Sequence, residues 1–129
     1  MKTDRKLALA VLAVVLIGVG GVMVIHAQQT KTGPGYFIAE VQVSDPVKMQ
    51  QYVSQFPPTL APFHHEYLVR GDKIQALEGE APKGAIIIIA FDSVEQARAW
   101  YDSPAYAAIL PIRQSAATTR AFIVEGVAK

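Results

Sequence analysis

The chain has 129 residues, 51% of them hydrophobic, with a formal net charge of +1 and no cysteine. That length allows one domain with a real core. The missing cysteines exclude a disulfide framework, a thiolate nucleophile, a CxxC redox pair and a Cys-ligated zinc.

In chain order, Lys2, Arg5 and Lys6 precede an uncharged apolar run from Leu7 to Ile25. A basic n-region before an apolar h-region is an export signal, and Ile25-His26-Ala27 is a tolerable cleavage site before Gln28. The same run just reaches bilayer-spanning length, so an anchor in the inner membrane over residues 7–25 is the rival reading. Gly18, Gly20 and Gly21 weaken the anchor, and a small residue at position 27 suits cleavage. An exported, periplasmic or extracytoplasmic domain is therefore expected, touching the membrane only if residues 1–27 stay attached. Cleavage removes Lys2, Arg5, Lys6 and Asp4, which turns +1 into a balance of about −1. No basic run remains to replace condensed counterions, so nucleic acid is not an expected partner.

Residues 28–35, QQTKTGPG, read as a polar linker into a domain over 36–127. From Tyr36 to Val43, Phe37, Ala39, Val41 and Val43 alternate with Tyr36, Ile38, Glu40 and Gln42, which predicts a strand. Ser44 or Asp45 caps a helix with Pro46 in its first turn and a buried stripe of Met49, Tyr52, Val53 and Phe56. Pro57-Pro58 is expected to end that helix, with room for one more turn over Thr59 to Phe63. His64 to Arg70 predicts a second strand, Gly71-Asp72 a tight turn, and Lys73 to Glu78 a third extended segment before a loop over Gly79 to Gly84.

Four consecutive isoleucines, Ile86 to Ile89, predict a strand buried on both faces. Ser93 with Gln96 opens a helix, and Ser103-Pro104 opens another whose expected buried stripe is Ala105, Ala108, Ile109, Ile112 and Ala116. Pro111 is expected to kink it near Leu110. Thr119 to Glu125 supplies a closing strand. The order βαββαβ, with a small hairpin extension, is an α+β, ferredoxin-like arrangement: an antiparallel sheet with helices on one face. The isoleucine strand is apolar on both sides, so the uncovered face needs a partner. A second copy is the simplest one, and a homodimer with a cavity between its two sheets is expected.

Gly35-Tyr36-Phe37-Ile38-Ala39, Asp45-Pro46 followed by Tyr52, Tyr67-Leu68-Val69-Arg70-Gly71, Leu77-Glu78-Gly79, the block Ala99 to Tyr106, Arg113 and Val124-Glu125-Gly126-Val127 carry a resemblance. Together they resemble the bacterial domain-of-unknown-function 1330 family over nearly all of Tyr36 to Val127. The resemblance implies a dimeric α+β barrel, and His26-Ala27-Gln28 is similar to the exported N-termini of some members. His64-His65 departs from the glycines usual before the second strand. The family has no settled activity, so the resemblance implies no reaction.

Trp100, Tyr101, Ser103, Tyr106 and Arg113 form the densest polar-aromatic cluster. An arginine beside phenol and indole groups can hold a carboxylate or phenolate through two hydrogen bonds. The plainer reading is structural, with Ser103 as a cap and the aromatics as core. His64 and Glu66 can share a strand face, but two ligands are too few for a metal site; His64 and His65 point to opposite faces and read as surface or loop residues. Arg70 and Glu78 suggest an exposed ion pair across the hairpin. Glu40, on a strand of apolar neighbours, is either a carboxylate turned into the cavity or a solvent-facing edge residue. No GxSxG elbow, P-loop or dinucleotide fingerprint occurs, and neither a cofactor nor a metal is expected. Two readings follow: a small-molecule binder with cofactor-free oxygenase, isomerase or lyase-like chemistry, or a non-catalytic envelope module working through protein contacts.

Overall fold

The computed structural model describes residues 31–129. The expected signal or anchor over 1–27 lies outside the described residues, and among those described no helix is long and apolar enough to cross a membrane. The sheet is built on β1 (Gly35–Val43), which takes two antiparallel neighbours, β3 (Ala85–Phe91) and β4 (Ala117–Glu125). β2 (His65–Gly71) adds to the outer side of β3, giving the order β2-β3-β1-β4 in one open four-stranded sheet. Three helices complete an α+β, ferredoxin-like fold: α1 (Pro46–Leu60), α2 (Val94–Tyr101) and α3 (Pro104–Ala116).

Cross-strand register decides which side chains face the helices. Phe37 pairs with Ile89 and Ile123, and Ala39 with Ile87 and Ala121, so these residues share one face. Phe37, Ala39, Ile89 and Phe91 are buried there against Trp100, Tyr106, Ile109 and Leu60 from the helices. The opposite face carries Tyr36, Ile38, Ile86, Ile88, Phe122 and Val124. Each helix starts on a side-chain cap: Asp45 accepts from the Lys48 amide at 3.0 Å, Ser93 from Gln96 at 3.1 Å and Ser103 from Tyr106 at 3.3 Å.

Several expectations are corrected. Pro57 and Pro58 do not end α1, which runs on to Leu60. The helical donors they remove are those that would bond the carbonyls of Val53 and Ser54, two exposed residues, and the helix continues only two residues past Pro58. Lys73 to Glu78 is not a strand: β3 occupies the inner edge of β2, and every residue of that segment is exposed, so its alternation has nothing to bury. No Arg70–Glu78 ion pair forms among the described residues; Arg70 instead lies over the Tyr67 ring at 5.5 Å. The buried stripe of α3 is Tyr106, Ile109, Arg113 and Ala116, while Ala105 and Ala108 are exposed. β1 begins at Gly35 rather than Tyr36, and Pro34, at the end of the expected linker, accepts from the Gly126 amide at 2.7 Å.

Candidate functional site

A cavity of about 310 Å³ lies between α1 and the helix-covered sheet face, near the small end of the ~300–1,000 Å³ typical of ligand sites. It is within the protomer, on the face of the sheet opposite the one a second copy is expected to cover. Phe37, Ala39, Val41, Met49, Phe56, Leu60 and Ile87 make most of its wall apolar. Its polar lining is Tyr52, Arg113, His65, Tyr67 and Arg70.

Local structure explains how those five converge. The α1 stripe turns Tyr52 inward, and the α3 stripe does the same for Arg113. On β2, a register shift between Tyr67 and Val69 inserts Leu68 as an extra residue. Tyr67 then pairs with Ile89 and Arg70 with Ile87, so Arg70 joins His65 and Tyr67 on the helix-covered face. Without the bulge, strict alternation would put Arg70 on the other side.

At one wall of the cavity Arg113 donates through Nη1 to the Tyr106 hydroxyl at 2.9 Å, and Tyr106 shares a 3.0 Å hydrogen bond with the Tyr52 hydroxyl. Arg113 is only 6% exposed, and its Nε has no hydrogen-bond partner. The ion pairs of the described residues all involve other side chains, so no carboxylate offsets this guanidinium. Burial raises the phenol pKa of both Tyr52 and Tyr106, more strongly for Tyr52, so both stay protonated and act as neutral dipoles. A buried cation facing only neutral groups is incomplete electrostatically. On the β2 side, His65 Nδ1 lies 2.7 Å from the Phe63 carbonyl.

The sequence model of one family, DUF1330, matches residues 34–127. The chain belongs to this domain-of-unknown-function family. No curated protein matches it. Among solved structures, a protein of unknown function from Rhodopseudomonas palustris is similar at 16% identity and TM-score 0.60, over 76% of this chain and 85% of that one. A hypothetical Arabidopsis thaliana protein gives 12% identity and TM-score 0.55, over 78% and 96%. SnoaB, a cofactor-independent oxygenase from Streptomyces nogalater, gives 11% identity and TM-score 0.53, over 75% and 96%. At such identities the likeness is one of fold.

Within this DUF1330 domain the expected polar-aromatic cluster divides. Arg113 lines the cavity and Tyr106 supports it through a hydrogen bond. Trp100 is fully buried away from the cavity lining, its indole N–H donating to Thr59 Oγ1 at 3.1 Å. Ser103 is the α3 cap, and Tyr101 is half-buried with its ring 6.1 Å from Phe37. Glu40 is on the open face, where its carboxylate accepts from Arg120 at 2.9 Å. His64 is exposed beside Asp92, and neither Glu40 nor His64 lines the cavity. Sequence reading takes His65, in the predicted second strand, as a surface or loop residue and Tyr52 as part of a core stripe, and misses their place at the cavity. The one available signal was that Tyr52 shares its stripe with purely apolar residues.

The His64 pair gives a pH prediction. The 2.6 Å contact from Nδ1 to Asp92 raises the His64 pKa, chiefly through the hydrogen bond. A raised folded-state pKa means that the pair's contribution is present below about pH 6.5, the unfolded value, and fades as pH climbs through the folded one. NMR titration of His64 should give a midpoint above the ordinary histidine value that falls back in Asp92→Asn. An unmoved midpoint in the variant contradicts the contact.

Proposed function

We propose that the domain binds a small organic acid, an apolar body bearing one anionic oxygen, in the cavity of each protomer. The observation that supports this is Arg113: a buried guanidinium with an unused N–H and no carboxylate partner, set at one wall of an otherwise apolar cavity. A ligand carboxylate or phenolate supplies the missing charge, in surroundings where charge-assisted contacts are strong. Catalysis without a cofactor has a precedent on this fold in SnoaB, which makes cofactor-free chemistry on the ligand part of the reading. Thermal shift against a panel of aromatic acids and aldehydes tests it. The acids should raise the melting temperature, and silence across the whole panel overturns the reading.

The assembly proposed is a homodimer of exported domains, packed through the open sheet face. Ile38, Ile86 and Ile88 lie there, with Phe122 and Val124 left 51% and 44% exposed. A contiguous apolar surface of this kind costs free energy in water, and a symmetric copy covers it with the same residues. Two open sheets packed in this way also make the expected barrel. Phe122→Asp should therefore convert a dimer to a monomer in sedimentation velocity while acid binding survives, because the cavity is on the other face. A wild-type protein that sediments as a monomer at high concentration contradicts the dimer and leaves the cavity reading intact. Export rests on the basic and apolar character of residues 1–27.

A further inference from the structure

Two polar groups on the cavity wall have hydrogen-bonding roles fixed from behind. The first is Tyr52. Arg113 can only donate, so Tyr106 oxygen is the acceptor of the 2.9 Å bond. Tyr106 is fully buried, and the Tyr52 oxygen is its one remaining partner among the described residues. Its proton must therefore go to Tyr52, or be left buried and unsatisfied. The chain runs Arg113 to Tyr106 to Tyr52, and the Tyr52 O–H is left over as the terminal donor, on a residue that lines the cavity.

The second is His65. A carbonyl oxygen cannot donate, so the 2.7 Å contact with Phe63 requires the proton on Nδ1. In the neutral imidazole Nε2 then carries the lone pair, and it has no hydrogen-bond partner among the described residues. His65 lines the same cavity as Tyr52. Tyr52 and His65 thus line one cavity, the first a residue with a donor to spare and the second one whose Nε2 carries a lone pair.

We propose that the cavity enolises a carbonyl acid: His65 Nε2 removes a proton from the carbon next to a ligand carbonyl, and Tyr52 donates a hydrogen bond to that carbonyl's oxygen. The inference rests on the acid-binding reading, with Arg113 holding the carboxylate. In the step, the C–H bond breaks and its proton forms the second N–H of an imidazolium. The electron pair becomes a C=C bond while the carbonyl π pair moves onto oxygen, where the donor chain stabilises the developing charge. Return of the proton to carbon or to oxygen completes exchange or tautomerisation, with no oxidant, reductant or metal consumed. Tyr52 stays protonated throughout, as its burial demands.

Phenylpyruvate carries all three features: a carboxylate, a ketone and an acidic CH₂ between ketone and ring. Incubated with the full chain in D₂O, it should bind by calorimetry and exchange its CH₂ protons, followed by NMR, well above the buffer rate. His65→Ala should keep binding and lose roughly a hundredfold or more of the enzymatic exchange rate. Added imidazole should restore part of it, which a merely structural role for His65 would not allow. His65→Gln, preserving a polar side chain at a half-buried position of β2, serves as the second variant if the alanine protein melts without cooperativity. Binding with exchange no faster than buffer, or exchange undiminished in a folded His65 variant, overturns the proton-transfer inference and leaves acid binding standing. Absence of binding by phenylpyruvate and by every other acid tried overturns both.

Discussion

Trp100→Ala should lower the unfolding free energy by about 3–5 kcal/mol, the usual cost of deleting a fully buried large aromatic. Trp100 is 0% exposed and sits where the helices meet the sheet. Its ring stacks on Phe91 at 5.4 Å, meets Phe37 edge-on at 5.0 Å and lies 4.5 Å from Tyr106. Each such aromatic pair adds about 0.5–1.5 kcal/mol beyond burial. The truncation also removes the indole N–H that donates to Thr59 Oγ1, which keeps only its own 2.7 Å bond to the Phe56 carbonyl. Urea denaturation measures the loss. A small fall in stability together with abolished acid binding would mean that Trp100 belongs to a site and not to the core.

Arg113→Met should behave in the opposite way. Methionine keeps an unbranched, flexible apolar stem, though a shorter one, and removes a buried charge that no carboxylate compensates. Tyr106 keeps its hydrogen bond to Tyr52. The unliganded domain should therefore be as stable as wild type or more so, since apolar replacement of buried charges is often neutral or stabilising. Acid affinity should fall roughly thirtyfold or more, because breaking a buried charge pair costs about 2–5 kcal/mol. Urea melts and calorimetry on the same protein separate the two effects. A variant several kcal/mol less stable with unchanged affinity contradicts the assignment, making Arg113 a strut between α1 and α3.

The contrast between these residues shows what a sequence makes legible. Period-two and period-3.6 patterns mark the sheet and helices, since burying one face is what those elements do; β1 and α1 followed from that logic, β3 from its β-branched run and the caps from their Ser, Asp and Pro signals. The pattern is blind where a polar residue occupies an inward position. Scoring α3 by apolar residues alone selected Ala105 and Ala108, when Tyr106 and Arg113 face inward. Alanine is small enough to sit on either face, so it carries little information about direction. The two prolines of α1 misled for a related reason: proline lowers helix propensity anywhere, but here it falls in the last turn of a helix that ends at Leu60.

The cavity was harder still. Its position depends on a bulge at Leu68 that returns Arg70 to the face of His65 and Tyr67, and a one-residue insertion against a partner strand leaves no trace in composition. The roles of Tyr52 and His65 depend on contacts 54 and 2 residues apart respectively, with Tyr106 and the Phe63 carbonyl. Arg113 itself stood out as an arginine among aromatics. What the sequence lacked was the knowledge that no acid lies beside it.

The most direct test of this account is calorimetric titration of the full chain with aryl acids, each against its neutral carboxamide of nearly the same shape. Anion recognition by Arg113 predicts that the acids bind and that the amides bind at least tenfold more weakly, a gap that closes in Arg113→Met. Equal affinities of acid and amide for the wild-type protein would contradict it.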